Sequence, residues 1–65
     1  MDSKKIGERL RMLRGDVAVV IAAKAIGIST SALFMYERGD RIPRDETKIK
    51  IAAYYGKSVE SIFYA

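Results

Sequence analysis

The sequence predicts an all-α fold in which five short helices form one compact domain, and three observations support that prediction. Apolar residues recur three to four positions apart along several segments, as they do on one face of a helix. Glycines follow most of these segments, and glycine readily ends a helix. Finally, 65 residues without cysteine form a single domain, residues 1–65, which close helix packing must stabilise without disulfides.

The apolar spacing locates the helices. We expect them over residues 4–14, 18–26, 30–38, 45–55 and 59–64. In the first helix, Ile6, Leu10 and Leu13 lie at i, i+4 and i+7 and form one apolar stripe. The residues expected to face the core from the other helices are Ala22, Ala23, Ile26, Leu33, Tyr36, Ile49, Ala52, Val59, Ile62 and Phe63, with Ile51 and Tyr55 as further candidates.

Capping residues and helix breakers support these limits. Ser3, Ser29 and Ser58 stand where a side-chain oxygen can cap the first, third and fifth helices. Pro43 prevents Ile42 from continuing a helix. The segment between the third and fourth helices is therefore expected to be a loop.

Residues 26–39 contain the most informative pattern in the chain. Gly27 can take the left-handed conformation that ends one helix, Ile28 fills the turn, Ser29 caps the next helix and Gly39 ends it. Two short helices joined in this way form a helix-turn-helix unit, whose second helix can enter the DNA major groove. However, the preceding helix starts with the apolar residues 17–21, a poor surface for a polyanion.

Composition excludes several classes of function. The chain has no histidine or cysteine, so the usual zinc sites and histidine- or cysteine-based catalytic sites cannot form. Ser29 and Ser31 have no base to activate them. We therefore expect a protein that is not an enzyme and that takes no metal, cofactor or small-molecule substrate.

Net charge and hydropathy indicate which classes of partner the chain can bind. The net charge of +4 favours nucleic acid mildly, because a basic domain releases counterions from phosphates. The longest apolar run, residues 17–23, is much shorter than the roughly 20 residues of a membrane span. We expect a soluble protein without a membrane partner, cytoplasmic if it is natural.

Several motifs together resemble the Xre/Cro-type helix-turn-helix family of phage and bacterial repressors. They are LRMLRGD at 10–16, AIGIS at 25–29, YERG at 36–39, RIP at 41–43 and KIAAYYGKSVESIF at 50–63. The match covers nearly the whole chain in order and spacing. The resemblance implies a five-helix, repressor-like DNA-binding domain of a transcriptional regulator, often dimeric.

The resemblance also implies roles for particular residues. Family members read base edges from positions that match Thr30, Ser31, Phe34 and Met35. The loop cations that would approach the DNA backbone are Arg38, Arg41 and Arg44, with Lys48 beside them. Glu37 would pair with an arginine of the first helix, here Arg14.

The chain departs from the family pattern at the start of its second helix. Position 18 is usually a capping Ser, Thr or Asn, and position 19 is typically a glutamine that contacts a phosphate. Here Ala18 cannot cap and Val19 cannot donate a hydrogen bond. Val20 and Ile21 replace polar residues, and Phe34 stands where a small or polar residue is common. Every change is from polar to apolar.

Two interpretations follow. Because successive helical residues lie about 100° apart, positions 19, 20 and 21 cannot all face the core, and we expect one of them to be partly buried. The preferred interpretation is an apolar protein-binding patch on a repressor-like scaffold, engineered or otherwise converted for another protein or a second copy, made by Val17, Val19, Val20, Ile21, Phe34 and Met35. The alternative is a sequence-specific regulator that binds double-stranded DNA through Thr30, Ser31, Phe34, Met35, Arg38, Arg41 and Arg44, with Phe34 able to touch a thymine methyl.

Overall fold

The computed structural model describes all 65 residues and contains five helices and no strand, which confirms the all-α fold. The helices are α1 (Ser3–Arg14), α2 (Val19–Ile26), α3 (Thr30–Arg38), α4 (Asp45–Tyr55) and α5 (Glu60–Tyr64). α5 is a short segment with π-helical geometry. α3 and α4 have the predicted limits, and each of the other helices starts one residue away from its predicted start.

Two of the three predicted helix caps are confirmed. The hydroxyl oxygen of Ser29 accepts a hydrogen bond from the backbone N–H of Ala32 at 3.0 Å. The hydroxyl oxygen of Ser58 accepts one from the N–H of Ser61 at 3.1 Å. Each bond satisfies an N–H group that has no partner within its own helix.

The prediction that Ser3 caps α1 is wrong. The carboxylate of Asp2 accepts hydrogen bonds from the N–H groups of Lys4 and Lys5, at 3.0 and 3.2 Å. A carboxylate also interacts favourably with the positive end of the helix dipole, which a hydroxyl does more weakly. Ser3 is therefore the first residue of the helix rather than its cap.

The turn between α2 and α3 depends on Gly27. This residue has φ +95°, a conformation that costs an L side chain about 1 kcal/mol or more. The N–H groups of Gly27 and Ile28 both donate to the carbonyl of Ala23, at 2.9 and 3.0 Å. α2 and α3 meet there at a bend of 108°, within the range of helix-turn-helix units.

No single helix of the chain is long and apolar enough to cross a membrane.

All five helices contribute to one hydrophobic core. Its members are Ile6, Leu10, Ala22, Ala23, Ile26, Leu33, Tyr36, Ile51, Ala52, Ile62 and Phe63. Leu13, Tyr55 and Val59 are half-buried at its edge. Apart from Ile49, every residue predicted to face the core therefore lies in it or against it.

α1 and α3 approach each other closely at Gly7. A Cβ atom at this position would overlap the carbonyl of Glu37 and lie 2.8 Å from the carbonyl oxygen of Tyr36. Such distances do not occur between real side chains and backbone, so α1 can lie this close to the end of α3 only with glycine here. The role of Gly7 depends on a neighbour 30 residues away, so no local sequence pattern reveals it.

The predicted inward face of α4 needs a correction. Ile49 is 62% exposed, and the buried positions are instead Lys48, Ile51 and Ala52. Lys48 lies on the inner side because its aliphatic stem packs while its charged end finds partners. The ammonium group donates to the hydroxyl of Tyr64 at 2.9 Å, and this bond is the main cause of a raised Lys48 pKa.

Tyr55 carries a polar group that lacks a partner. Its hydroxyl is buried and makes no hydrogen bond, while its ring packs edge-on against Tyr54 with centroids 4.8 Å apart. Burial, followed by the negative charge of Glu37, raises the pKa of Tyr55 to about 12. The folded protein therefore favours the neutral phenol.

We predict that Tyr55→Phe leaves the free energy of unfolding at neutral pH unchanged or raises it by about 1 kcal/mol, because it removes an unpaired buried hydroxyl. In the wild type the folded pKa exceeds the unfolded value of about 10, so stability is lost as pH rises through this range. The variant should lack that part of the alkaline loss. Urea unfolding at neutral and alkaline pH, with the more exposed Tyr54→Phe as control, measures both effects. A clear loss of stability at neutral pH would contradict an unpaired hydroxyl.

Candidate nucleic-acid interface

α3 presents one side to the core and the other to solvent. Leu33 and Tyr36 point inward and are buried. The residues on the opposite side are exposed or half-buried: Thr30, Ser31, Phe34, Met35 and Arg38. The last four of these line one open groove of about 350 Å³. The structure therefore brings the predicted base-reading positions together on the solvent side of α3.

A bidentate ion pair holds the end of α3 against α1. The guanidinium of Arg14 donates to the two carboxylate oxygens of Glu37 at 2.7 and 2.9 Å, which confirms the predicted pairing. The side chains are 15% and 4% exposed, and the hydrogen bond to Glu37 is the main cause of a raised Arg14 pKa. Arg14 also donates to the carbonyl of Val17 at 2.8 Å. One side chain thus ties α1, α3 and the segment before α2 together.

The start of α2 exposes apolar side chains. Val20 is 57% exposed, Ile21 61% and Val17 41%. Val19 differs from its neighbours, because it is half-buried and packs against the core. One of the three consecutive positions is thus partly buried, as expected, and the assignment of Val19 to an exposed patch is wrong. Phe34 on α3 is 45% exposed.

The N-terminus of α2 has no side-chain cap. Ala18 occupies the cap position with φ −59° and ψ 141° and offers no acceptor. Asp16 makes no capping bond there either. The first backbone hydrogen bonds of the helix come from the N–H groups of Ile21 and Ala22, so the N–H groups of residues 19 and 20 have no partner within the protein. The positive end of the helix is open to an outside acceptor.

The loop after α3 carries two arginines without an ion pair. Arg41 and Arg44 are exposed on either side of the buried Pro43, while Arg38 forms an exposed ion pair with Asp40 at 3.2 Å. Exposed pairs of this kind are worth about 1 kcal/mol or less, so Arg38 can exchange Asp40 for another anion. The inclusion of Lys48 in this cationic set is wrong, because it is buried against Tyr64.

No cluster of side chains suited to a metal ion is present: three or more acidic residues do not come together anywhere in the chain. Titratable groups with shifted pKa values lie in the supporting structure, at Arg14, Lys48 and Tyr55. The exposed side of α3 offers hydroxyls, apolar groups and one arginine, which suits binding rather than acid–base chemistry.

Sequence comparison now assigns this architecture to a family. A family model described as "HTH_3: Helix-turn-helix" matches residues 22–62, more than half of the chain. The chain belongs to the Xre/Cro-type helix-turn-helix family. No curated protein sequence matches it.

Solved structures share the fold of this Xre/Cro-type domain. The restriction-modification controller protein C.AhdI from Aeromonas hydrophila is 28% identical, with a TM-score of 0.85 over 95% of this chain and 93% of that one. The clp gene regulator ClgR from C. glutamicum is 26% identical, with a TM-score of 0.80 over 95% and 83%. The DNA-binding domain of the P22 C2 repressor is 23% identical, with a TM-score of 0.84 over 95% and 84%. At that identity the last likeness concerns the fold alone.

These comparisons change the order of the two interpretations. Two of the similar structures, a restriction-modification controller protein and a clp gene regulator, are regulators, so they favour the alternative of a DNA-binding regulator. The preferred prediction, an engineered or converted protein-binding module, receives no support from them. The exposed apolar side chains on α2 and α3 remain a structural fact that either interpretation has to explain.

We predict that Ala18→Ser raises the free energy of unfolding by about 1 kcal/mol. A hydroxyl oxygen at this position can accept a hydrogen bond from one of the free N–H groups at the start of α2. Ala25→Ser on the exposed side of the same helix is the matched control. It should lower stability by about 0.5 kcal/mol, since serine forms helix less readily than alanine. Urea unfolding measures both variants. An Ala18→Ser protein no more stable than the wild type would show that the N-terminus of α2 is already satisfied.

Proposed function

We propose that this Xre/Cro-type domain is the sequence-specific DNA-binding domain of a transcriptional regulator and inserts α3 into the major groove of double-stranded DNA. One observation carries the proposal. The outer side of α3 is exposed or half-buried along its length, while the buried inner side and the ion pair to α1 fix the position of the helix. A rigid, outward-facing second helix in a helix-turn-helix unit is the form that enters a major groove.

The proposal assigns a contact to each of the predicted DNA-binding residues. Thr30, Ser31, Phe34 and Met35 would face base edges from the first two turns of α3. Arg38, Arg41 and Arg44 would follow the DNA backbone from the end of α3 and the next loop. The likeness to C.AhdI, a controller protein, and to ClgR, a gene regulator, supports the same assignment for this chain.

The start of α2 would still approach a phosphate without glutamine at position 19. The free N–H groups of Val19 and Val20 point out of the N-terminus of α2, and such groups bind phosphate oxygens with help from the helix dipole. The contact loses the side-chain donor typical of the family. We therefore expect weaker phosphate binding here than in a relative that keeps it.

A second candidate function rests on a different observation. Val17, Val20, Ile21 and Phe34 are 41–61% exposed, at positions where polar side chains would suit DNA better. Fully burying one such side chain yields about 1.5–3 kcal/mol, so together with Met35 they could form an interface with another protein or a second copy. An interface of this kind would be nearly insensitive to salt, whereas a DNA interface would not.

A salt titration separates the two functions. With three arginines on the backbone, the logarithm of the DNA association constant should fall against the logarithm of salt concentration with a slope of about −3 for each bound domain. Val19→Gln should tighten binding by about fivefold, since one regained hydrogen bond is worth about 1 kcal/mol. Fluorescence anisotropy with a labelled duplex measures both quantities.

Ile49→Gln is the control, because it makes the same kind of apolar-to-glutamine change at an exposed residue of α4, away from α2 and α3. It should leave DNA affinity unchanged. The DNA proposal is contradicted if the wild type shows no salt-dependent binding to random or selected duplexes. Protein association is then tested by sedimentation of the wild type and of Phe34→Ser, which should abolish any self-association made by the α2–α3 residues.

A further inference from the structure

The exposed side of α3 has few groups that can identify a base by hydrogen bonding. In its first two turns the polar side chains are the hydroxyls of Thr30 and Ser31. Glu37 is turned inward and bound to Arg14, with its side chain 4% exposed. Arg38 is the last residue of the helix and pairs with Asp40. The helix therefore lacks an asparagine, glutamine or free arginine at a position that would reach a base edge.

Hydroxyl groups carry little sequence information by themselves. A serine or threonine hydroxyl both donates and accepts, so it can bond to any of the four base pairs. Bidentate contacts, which discriminate guanine or adenine by about 1–3 kcal/mol each, need the longer planar side chains that α3 lacks. If α3 selects a sequence, another kind of contact has to supply most of the selectivity.

The major groove offers one apolar group, the C5-methyl of thymine. Phe34 is the large apolar side chain on the outer face of α3, 45% exposed. It shares its groove with Ser31, Met35 and Arg38. An aromatic ring next to a flexible thioether can enclose a methyl group without precise hydrogen-bond geometry.

We propose that α3 reads its operator through thymine methyl groups, which Phe34 contacts with Met35 beside it. This inference rests on the proposed DNA-binding function and names the base feature that the site recognises. Ser31 then supplies a hydroxyl to the neighbouring base or phosphate, and Arg38 holds the backbone after leaving Asp40. The exposed phenylalanine, which otherwise has no role in the fold, becomes the residue that determines specificity.

The test removes the methyl group and nothing else. A duplex is first selected from a random-sequence library with the wild-type protein, and each thymine in it is then replaced singly by deoxyuridine, which keeps every hydrogen-bonding group. Uracil at a contacted position should weaken wild-type binding by about fourfold, the factor expected for losing one buried methyl group. Uracil at other positions should have no effect.

Three variants assign the effect to the residue. Phe34→Ser should bind the thymine and uracil duplexes equally, because the apolar partner of the methyl group is gone. Phe34→Leu keeps an apolar side chain and should keep a preference for thymine. Ile49→Ser removes an exposed apolar residue on α4 and should show the full wild-type preference. All three substitutions are at exposed positions, and circular dichroism verifies that each protein is folded.

The outcomes separate this inference from the function on which it rests. Selective, salt-dependent binding that is unaffected by uracil at every thymine overturns methyl readout but leaves DNA binding intact. A uracil effect that persists in Phe34→Ser overturns the assignment to Phe34. Absence of any selected sequence together with absence of salt-dependent binding overturns both proposals, and the protein-docking candidate would then account for the apolar residues.

Discussion

The contact between α1 and the end of α3 is the constraint on which the rest of the structure depends. Gly7 allows the two backbones to approach until no side chain fits between them, and Arg14 then holds Glu37 with two short hydrogen bonds. Removing one partner from a buried ion pair leaves an unpaired charge that costs about 3–5 kcal/mol. A domain of this size has a total stability of about 3–10 kcal/mol. Losing either partner alone would therefore remove a large part of the stability of the fold.

This constraint also determines what α3 can offer to a partner. Because Leu33, Tyr36 and Glu37 are committed to the interior, the outer side consists of whatever the remaining positions supply. In this chain they supply hydroxyls, a phenylalanine and a methionine. α2 is divided in the same way: Ala22, Ala23 and Ile26 lie in the core, while Val20 and Ile21 are exposed to solvent. The apolar groups exposed on α2 and α3 therefore reflect which residues stand at the solvent-facing positions, and not a poorly packed core.

Much of the fold could be predicted from local signals. The glycines and the serine cap around α2 and α3 fix the turn, and the limits of α3 follow from them. The pairing of Arg14 with Glu37 was implied by the family resemblance, since 23 residues separate the partners and no local pattern joins them. The turn chemistry and the resemblance thus identified the fold and the solvent-facing side of α3 correctly.

Most of the errors have a common physical origin. Ile49 was assigned to the core and Lys48 to the surface because an apolar residue was expected inside and a charged one outside. Lys48 can be buried because the hydroxyl of Tyr64, 16 residues further on, accepts a hydrogen bond from its ammonium group. Asp2 caps α1 in place of Ser3. Both residue types can cap a helix, and the sequence alone does not show which of the two does so. Val19 is half-buried because it packs against the core. The errors at α4 and at Val19 thus concern tertiary packing that no local pattern reveals, whereas the error at Ser3 is a choice between two neighbouring capping residues.

The most direct test of the account is amide chemical-shift mapping of the isotope-labelled domain titrated with the selected duplex. If α3 enters the major groove, the largest shifts fall on residues 18–21, on the outer side of α3 and on the loop 39–44, with α5 and the exposed face of α4 unchanged. Shifts concentrated on α4 and α5, or no saturable shifts at all, would contradict the placement of the binding surface on the helix-turn-helix unit.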